Sequence, residues 1–372
     1  MKVKHLYRTE MVPGGLFAIP DAPQSVMFDL TWQCNQRCRF CYVPDDRAAQ
    51  PLPDKDVQVR IVRQLGNWGV EEVLYLGGEP TLCPHLDDVL TAGHDVGLRQ
   101  RLVTNGLRVN RSLARRMAAL SVEIGVSFAG ADANVHDSLV QLPGAFNRTV
   151  NGMTELVDAG VATFLHFSPT RPNAGHLERL VAWAASRWPG ALRSVEVNRL
   201  LPQGRAQADG VSLLVDEDGW WEVLLDAAAV AERGFTLHVE SVPRCWVRER
   251  AKRDALAEAA RDAILTLLRP CRMAIVQLAL DPSGRIKLCP GGSPVGDPLT
   301  PESLPTAWRV DSALERYRRM EWLPVQCVDY ARAWLCPEFH DCAAGCRYGA
   351  VVSGPAFDPL APPPQSSASG SF

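Results

Sequence analysis

Three cysteines packed into eight residues carry the most specific chemistry in this sequence. Cys34, Cys38 and Cys41 lie in the string Cys-Asn-Gln-Arg-Cys-Arg-Phe-Cys. Three thiolates at this spacing can bind three irons of one cubane iron–sulfur cluster, whereas such clusters normally take four cysteines. The fourth iron is left without a protein ligand, so the string predicts a reactive cluster at which a small molecule coordinates. A zinc site lacking one ligand is the alternative for the same cysteines.

Eight further cysteines lie outside this string, and seven of them come after Arg244. The total of eleven is odd and the chain start shows no apolar export signal, so the pattern favours metal or cluster ligation over disulfides. Cys83 is interpreted as a buried thiol without a chemical role. Cys245 has three open interpretations: a structural thiol, a cluster ligand, or a hydrogen-atom donor to a substrate radical.

Alternating strand and helix patterns position the first cysteine string. Short apolar runs predict strands over 25–30, 73–76, 101–104, 122–128, 162–167 and 194–199. Between and after them, helical patterns cover 57–68, 86–96, 112–119, 145–159, 176–187 and 217–233. This alternation predicts a parallel sheet in an α/β fold, and six units are too few for an eight-unit barrel. We therefore expect a partial, open (β/α)6 barrel.

Four polar motifs fall directly after predicted strands. The cysteine string follows the first strand and Gly77-Gly78-Glu79-Pro80 follows the second, while Thr104-Asn105-Gly106 and Ser127 end the third and fourth. Each of the last three, taken alone, is an ordinary turn or strand end. Because the chemistry of parallel barrels lies at the carboxyl ends of the strands, we expect all four motifs on one rim.

The cysteine string, with Phe40 before its last cysteine, closely resembles the signature of the radical S-adenosylmethionine (SAM) superfamily. Gly77–Pro80 resembles the SAM-binding turn of that family, and the motifs at Asn105 and Ser127 resemble those of a subgroup with a SPASM or Twitch extension. The resemblance implies a radical SAM partial barrel over 25–240 and a small cysteine-rich α+β SPASM-like domain over 241–359. Residues 1–24 form an N-terminal segment, and the Pro- and Ser-rich residues 360–372 a disordered tail.

The resemblance also implies how SAM is held and used. The open iron chelates the amino and carboxylate groups of SAM, and the reduced cluster cleaves the sulfonium to release a 5′-deoxyadenosyl radical. Glu79 is predicted to accept a hydrogen bond from the SAM ammonium, and Gly77 and Gly78 to let the backbone approach closely. Contacts to the ribose, carboxylate or adenine of SAM are predicted for Asn105, Ser127 and Phe40.

The later cysteines resemble the cluster ligands of the SPASM extension. By family analogy there are two auxiliary clusters. The first would be held by Cys271, Cys289 and Cys346, and the second by Cys327, Cys336 and Cys342. The sequence departs from the family pattern because no cysteine follows Cys346. Each set then has only three obvious thiolates, which leaves one cluster incomplete, open to substrate, or absent.

This resemblance implies a radical SAM enzyme that abstracts a hydrogen atom from a ribosomally made peptide, leading to crosslinking, epimerisation or oxidation. The alternative substrate is a small-molecule natural product such as an aminoglycoside, with Cys245 as hydrogen donor favouring epimerisation. A non-catalytic iron–sulfur protein is a third alternative, but it needs every cluster fully ligated by protein. Expected partners are an external one-electron reductant of the flavodoxin or ferredoxin type and the substrate.

Composition excludes other classes of partner. The chain has 372 residues, 47% of them hydrophobic, and a formal net charge of −3 without a basic stripe, so no nucleic-acid surface is expected. The sequence contains no run of about 18 apolar residues, so we expect no helix that spans a membrane. We expect a cytoplasmic protein. About 24 residues precede the first predicted strand, so a peptide substrate is expected to need a separate leader-binding protein or direct docking.

Overall fold

The structure is a computed structural model that describes residues 19–43, 50–200, 204–208, 213–240, 242–296 and 299–318. Most of the predicted N-terminal segment and the whole predicted tail over 360–372 lie outside the described residues. So do four of the predicted auxiliary ligands, Cys327, Cys336, Cys342 and Cys346.

One mainly parallel sheet organises the described chain. Its strands are β1 (Ser25–Thr31), β2 (Glu72–Gly77), β3 (Arg99–Thr104), β4 (Glu123–Ser127), β5 (Thr163–Phe167), β6 (Leu192–Val197), β7 (Leu237–Glu240), β8 (Leu268–Arg269), β9 (Gln277–Leu280), β10 (Ile286–Lys287) and β11 (Pro294–Val295). Their order is β11-β10-β9-β1-β2-β3-β4-β5-β6-β7-β8. Strand β1 pairs in parallel with both β2 and β9, with Ser25 opposite Glu72 and Gln277. Within the described ranges, the antiparallel pairs are those that β10 forms with β9 and with β11.

Helices connect the strands and cover the outer face of the sheet. They are α1 (Lys55–Trp68), α2 (Leu86–Asp95), α3 (Arg111–Ala119), α4 (Ala133–Val140), α5 (Ala145–Asp158), α6 (Leu177–Arg187), α7 (Gly204–Ala208), α8 (Glu217–Glu232), α9 (Arg244–Arg253), α10 (Glu258–Leu267), α11 (Leu304–Val310) and α12 (Ser312–Arg318). Ile61 and Leu65, four residues apart on α1, are fully buried in one core with Phe28 of β1 and Val73 of β2. None of the described helices is long and apolar enough to cross a membrane.

The sheet curves into an open barrel. Arg101 on β3 contacts Glu196 on β6, three strands away. Three strand spacings in a flat sheet would separate the two backbones by about 14 Å, beyond the reach of these side chains. The curvature therefore brings both side chains into a shared interior. Among the described residues, no pairing joins the edge strands β8 and β11, so the barrel stays open.

The predicted α/β class and the parallel sheet are confirmed. All six predicted strands and all six predicted helices are present, with ends that differ by at most two residues. The sheet also contains β7, β8 and β9, so it continues across the domain boundary predicted at residue 241. Strand β7 has four residues and β8 only two, which is too short for a repeating pattern to show.

A buried ion pair joins β1 to β10, which lies two strands away from it in the sheet. Lys287 on β10 donates a hydrogen bond to Asp29 on β1, and neither side chain is more than 2% exposed. The Lys287 ammonium also lies 4.8 Å from the ring centroid of Trp32. Two charges removed from water are stabilised only while they remain paired.

Replacing one partner of this pair should destabilise the fold. Asp29→Asn leaves the Lys287 ammonium buried without a countercharge, so the free energy of unfolding should fall by about 3–5 kcal/mol, measured by urea denaturation. The control, Asp29→Leu with Lys287→Met, removes both charges and should recover most of that loss. An Asp29→Asn protein as stable as the wild type would contradict this account.

Candidate active site at the carboxyl ends of the strands

The string Cys34–Cys41 forms the loop after β1, here called the cluster loop. Neighbouring rim elements hold its backbone: two of its N–H groups, those of Arg37 and Arg39, donate to the last carbonyls of α4 at 3.2 and 2.9 Å. Asn105, at the end of β3, donates from Nδ2 to Oδ1 of Asn35 in the loop at 2.7 Å. The predicted placement of these motifs on one rim follows directly from these contacts.

The three thiols of the cluster loop line one cavity. Burial raises the pKa of Cys38 well above its usual range, and the neighbouring thiols Cys41 and Cys34 add to this rise. Among the described residues, no three Cys, His, Asp or Glu side chains converge on the position of a single metal ion. A cubane cluster does not require such convergence, because each cysteine binds a different iron.

An unsatisfied amide group marks the cluster loop as a binding site. The Sγ of Cys38 donates to Oε1 of Gln36 at 3.4 Å, while Nε2 of Gln36 finds no acceptor in the described part of the chain. Gln36 is 7% exposed and lines the same cavity as the thiols. A buried donor without an acceptor costs free energy, which a bound acceptor such as a cluster sulfide would offset. The donor set of this loop therefore fits an iron–sulfur cluster.

The Gly77–Pro80 turn packs against the stem of the cluster loop. The N–H groups of Gly78 and Glu79 donate to the carbonyls of Thr31 and Gln33 at 2.6 and 2.7 Å. A Cβ on Gly77 would lie 2.3 Å from the Thr31 carbonyl oxygen, and one on Gly78 would lie 2.2 Å from that of Gln33. The close backbone approach that needs glycine is thus made to the protein itself. Their predicted approach to SAM stays a prediction.

The Glu79 carboxylate ties the ends of β2 and β3 together. Its Oε1 accepts from the Thr81 N–H at 3.0 Å and from the hydroxyls of Thr81 and Thr104 at 2.6 Å each. Its Oε2 accepts from the Asn105 N–H at 2.8 Å. Burial raises the pKa of this carboxyl, and the same four donors lower it. These contacts give Glu79 a positioning role, and its predicted contact with the SAM ammonium stays a prediction.

One cavity of about 1870 Å³, bounded by the described residues, joins the cluster loop to the barrel interior. The predicted SAM contacts Phe40, Asn105 and Ser127 lie on its wall, as do the predicted auxiliary ligands Cys271 and Cys289. The structure therefore brings the residues predicted for SAM and two of those predicted for an auxiliary cluster to one space.

Two other cysteines lie apart from this wall. Arg244 and Arg248 of α9 line the cavity, whereas Cys245 between them is not among its described lining residues. Its role as a hydrogen-atom donor therefore gains no support from the geometry and stays a prediction. Cys83 is buried and donates to Oε1 of Gln58 at 3.6 Å, as the interpretation of a structural thiol requires.

Ion pairs as well as apolar side chains line the barrel interior. The Arg101 guanidinium contacts Glu196, lies 3.5 Å from the Glu123 carboxylate, and stacks 4.3 Å from the ring centroid of Phe164. A Cβ on Gly125 would lie 2.3 Å from that ring, so glycine makes room for it. The cavity floor is consequently polar, in contrast to the Val, Ile and Leu layers of a packed barrel.

Sequence reasoning missed the titratable residues on the inner face of β5 to β7. His166, Glu196, His238 and Glu240 all line the cavity, and Nδ1 of His166 lies 3.5 Å from Oγ of Ser127. Burial, and then the neighbouring Glu196, raises the pKa of Glu240 to about 8, while burial lowers that of His238 to about 4. Polar residues at alternate positions of strands expected to be buried on both faces were the available signal.

Comparison with known proteins identifies one matched domain in this chain and similar proteins along most of its length. Residues 30–184 match the radical SAM superfamily. The mycofactocin maturase MftC of Mycobacterium ulcerans is 29% identical over 344 residues, covering 90% of this chain and 85% of that protein. The AdoMet-dependent heme synthase of Nitratidesulfovibrio vulgaris is 23% identical over 340 residues, covering 87% and 86%. The chain carries a radical SAM domain.

The likeness of the fold to solved structures extends beyond the matched residues 30–184. The chain superimposes on Streptococcus suis SuiB, solved with precursor peptide SuiA and with S-adenosylmethionine, with a TM-score of 0.70 and 16% identity. The likeness covers 92% of this chain and 76% of SuiB in the peptide complex. The match over residues 30–184 implies a [4Fe–4S] cluster and SAM as the cofactors of that domain.

Removing one carboxylate oxygen from Glu79 should loosen the rim. In the wild type, four donors bind the two carboxylate oxygens of Glu79. In Glu79→Gln an NH2 group replaces one of these oxygens, so at least one buried N–H or hydroxyl donor loses its acceptor. We expect the free energy of unfolding to fall by about 1–3 kcal/mol, measured by urea denaturation. The exposed Glu232→Gln on α8 is the matched control and should change it by less than about 0.5 kcal/mol. Equal effects of the two substitutions would contradict the positioning role.

The raised pKa of Glu240 predicts that stability falls as pH rises from about 4.3 to about 8. The pKa of its carboxyl is about 8 in the folded protein and about 4.3 in the unfolded chain. Between these two pH values the folded state therefore holds one more proton than the unfolded state. Stability should fall as pH rises through this window, by at most about 1.4 kcal/mol per unit from this group. Urea denaturation of wild type and Glu240→Gln at pH 7 and pH 8 measures it. A fall of the same size in both proteins would rule out Glu240 as the cause.

Proposed function

We propose that this radical SAM enzyme is a maturase that removes a hydrogen atom from a ribosomally made peptide. The curated relative with 29% identity over 90% of this chain is named a mycofactocin maturase. SuiB, whose fold this chain shares, is solved in complex with a precursor peptide. The cavity that joins the cluster loop to the polar interior is the observation that carries the proposal.

The size of this cavity supports a substrate larger than a small molecule. Pockets for single small ligands usually measure about 300–1,000 Å³. The cavity bounded by the described residues is about 1870 Å³, which leaves room for a peptide segment beside SAM. Its wall offers both arginines and carboxylates as well as apolar side chains such as Met27 and Leu74, a mixture that suits a peptide backbone and its side chains.

Each rim element has a defined task in this proposal. When bound, the cluster and SAM supply a 5′-deoxyadenosyl radical that takes a hydrogen atom from the substrate. Cys34, Cys38 and Cys41 hold the cluster, and Glu79 keeps the ends of β2 and β3 in register beside them. Phe40, Asn105 and Ser127 face the space in which SAM would lie. The barrel wall around the site would limit access of water to the reacting atoms.

Further components belong to the same proposal. Cys271 and Cys289 lie on the cavity wall and would contribute to an auxiliary cluster, with the remaining ligands supplied by the later cysteines. An external one-electron donor of the flavodoxin or ferredoxin type delivers the electron, and a separate leader-binding protein or direct docking delivers the peptide. The clustered cysteines need a reducing compartment, so we place the enzyme in the cytoplasm.

Loss of any cysteine of the cluster loop should abolish cleavage of SAM. Cys34→Ala, Cys38→Ala and Cys41→Ala each remove one of three thiolates, so no open cluster can assemble. The measurement is 5′-deoxyadenosine formed by the anaerobically reconstituted, reduced protein. Cys83→Ala, which removes a buried thiol outside the cavity, should retain activity. Residual SAM cleavage in all three cluster-loop variants would contradict the assignment.

The substrate class is tested by the origin of the transferred hydrogen. The enzyme is incubated with SAM, reductant and either a deuterated peptide encoded beside its gene or a deuterated aminoglycoside. Deuterium in 5′-deoxyadenosine from the peptide alone is the expected result. Transfer from the aminoglycoside alone would replace the maturase proposal with the small-molecule alternative.

A further inference from the structure

A short segment after β6 lies directly on the cluster loop. The backbone N–H groups of Arg205 and Ala206, at the start of α7, donate to the carbonyl of Cys41 at 3.0 and 3.4 Å. The side chain of Arg205 donates from Nε to the carbonyl of Cys38 at 3.0 Å. Arg205 therefore binds the carbonyls of two of the three cysteines of the cluster loop, Cys38 and Cys41, from the segment after β6.

The backbone of Gly204 makes this contact possible. Gly204 has a φ of +54°, and a Cβ there would lie 2.5 Å from the Tyr42 carbonyl oxygen and 2.7 Å from that of Cys41. A larger residue would push the segment away from the loop, since both neighbours are backbone atoms. Gly204 thus sets the distance at which Arg205 meets the cluster loop.

Arg205 also places a positive charge beside the thiols. Its side chain is half-buried and lines the cavity that Cys34 and Cys38 line. A cubane held by thiolates gains one negative charge when it is reduced. A fixed positive charge in a partly dry site stabilises that reduced state, and nearby charge and hydrogen bonds are established means of tuning such clusters.

We propose that Arg205 is a positioning residue that ties the cluster loop to α7 and, through its charge, makes the cluster easier to reduce. This inference rests on the proposed function, because it needs a cluster on the three cysteines. It assigns to the region after β6 a task in electron uptake, separate from any contact with the substrate.

The test compares three variants of the full chain after anaerobic reconstitution. Arg205→Gln removes the charge, Arg205→Lys keeps the charge without the guanidinium fork, and Arg115→Gln removes an exposed charge on α3 as the matched control. Redox titration followed by electron paramagnetic resonance reports the midpoint potential of the cluster whose spectrum changes on addition of SAM. Iron content and thermal melting are measured on the same samples.

We expect Arg205→Gln to lower the ratio of reduced to oxidised cluster at a fixed potential about tenfold, which is a midpoint about 59 mV more negative for one electron. Arg205→Lys and Arg115→Gln should both stay within about twofold of wild type. Loss of cluster from folded Arg205→Gln but not from Arg205→Lys would also support the proposal.

Two results would overturn it. Full iron content with an unchanged potential in Arg205→Gln would remove the effect of the charge. Loss of the cluster from both Arg205 variants, with unchanged melting, would show that the contact of Arg205 with the loop is needed but that its positive charge is not. A wild-type protein that binds no cluster would instead refute the proposed function, so the two failures can be told apart.

Discussion

The buried carboxylate of Glu79 is the constraint on which the geometry of the rim depends. Its oxygens bind donors from its own turn and from the end of β3, while the backbone of that turn binds the stem of the cluster loop. Three strand ends are thereby fixed relative to one another without a covalent link. Asn105, whose N–H reaches Glu79, extends the same connection through its side chain to Asn35. The cluster loop is therefore positioned before any cofactor binds.

A second consequence of the fold is a hollow and polar barrel. Arg101 spans the interior to Glu196, and Gly125 makes room for the Phe164 ring beneath the guanidinium. Ion pairs and apolar side chains together line this interior, which stays open from the rim towards the amino ends of the strands. An open interior is what a barrel enzyme needs if both SAM and a large substrate are to enter it.

Local patterns in the sequence predicted the first six strands, their helices and the rim motifs, because each depends on residues close together in the chain. The later strands could not be predicted, since β7 and β8 are short and owe their place to pairing partners in the sheet. The same holds for the site. The spacing of Cys34, Cys38 and Cys41 is visible in the sequence. The contact of Arg205 with the cluster loop joins residues 167 positions apart in the chain, so no local pattern reveals it. The contacts of Gly77 and Gly78 with residues 31–33 likewise appear only in three dimensions.

The proposed activity requires a cluster iron that the polypeptide leaves for SAM to coordinate. Pulsed electron–nuclear double resonance on the reduced, reconstituted enzyme with SAM labelled with nitrogen-15 at its amino group tests this directly. The predicted result is a hyperfine coupling between that nitrogen and the cluster, present in the wild type and absent without the cluster-loop cysteines. A reduced cluster that shows no coupling to bound SAM would contradict the account.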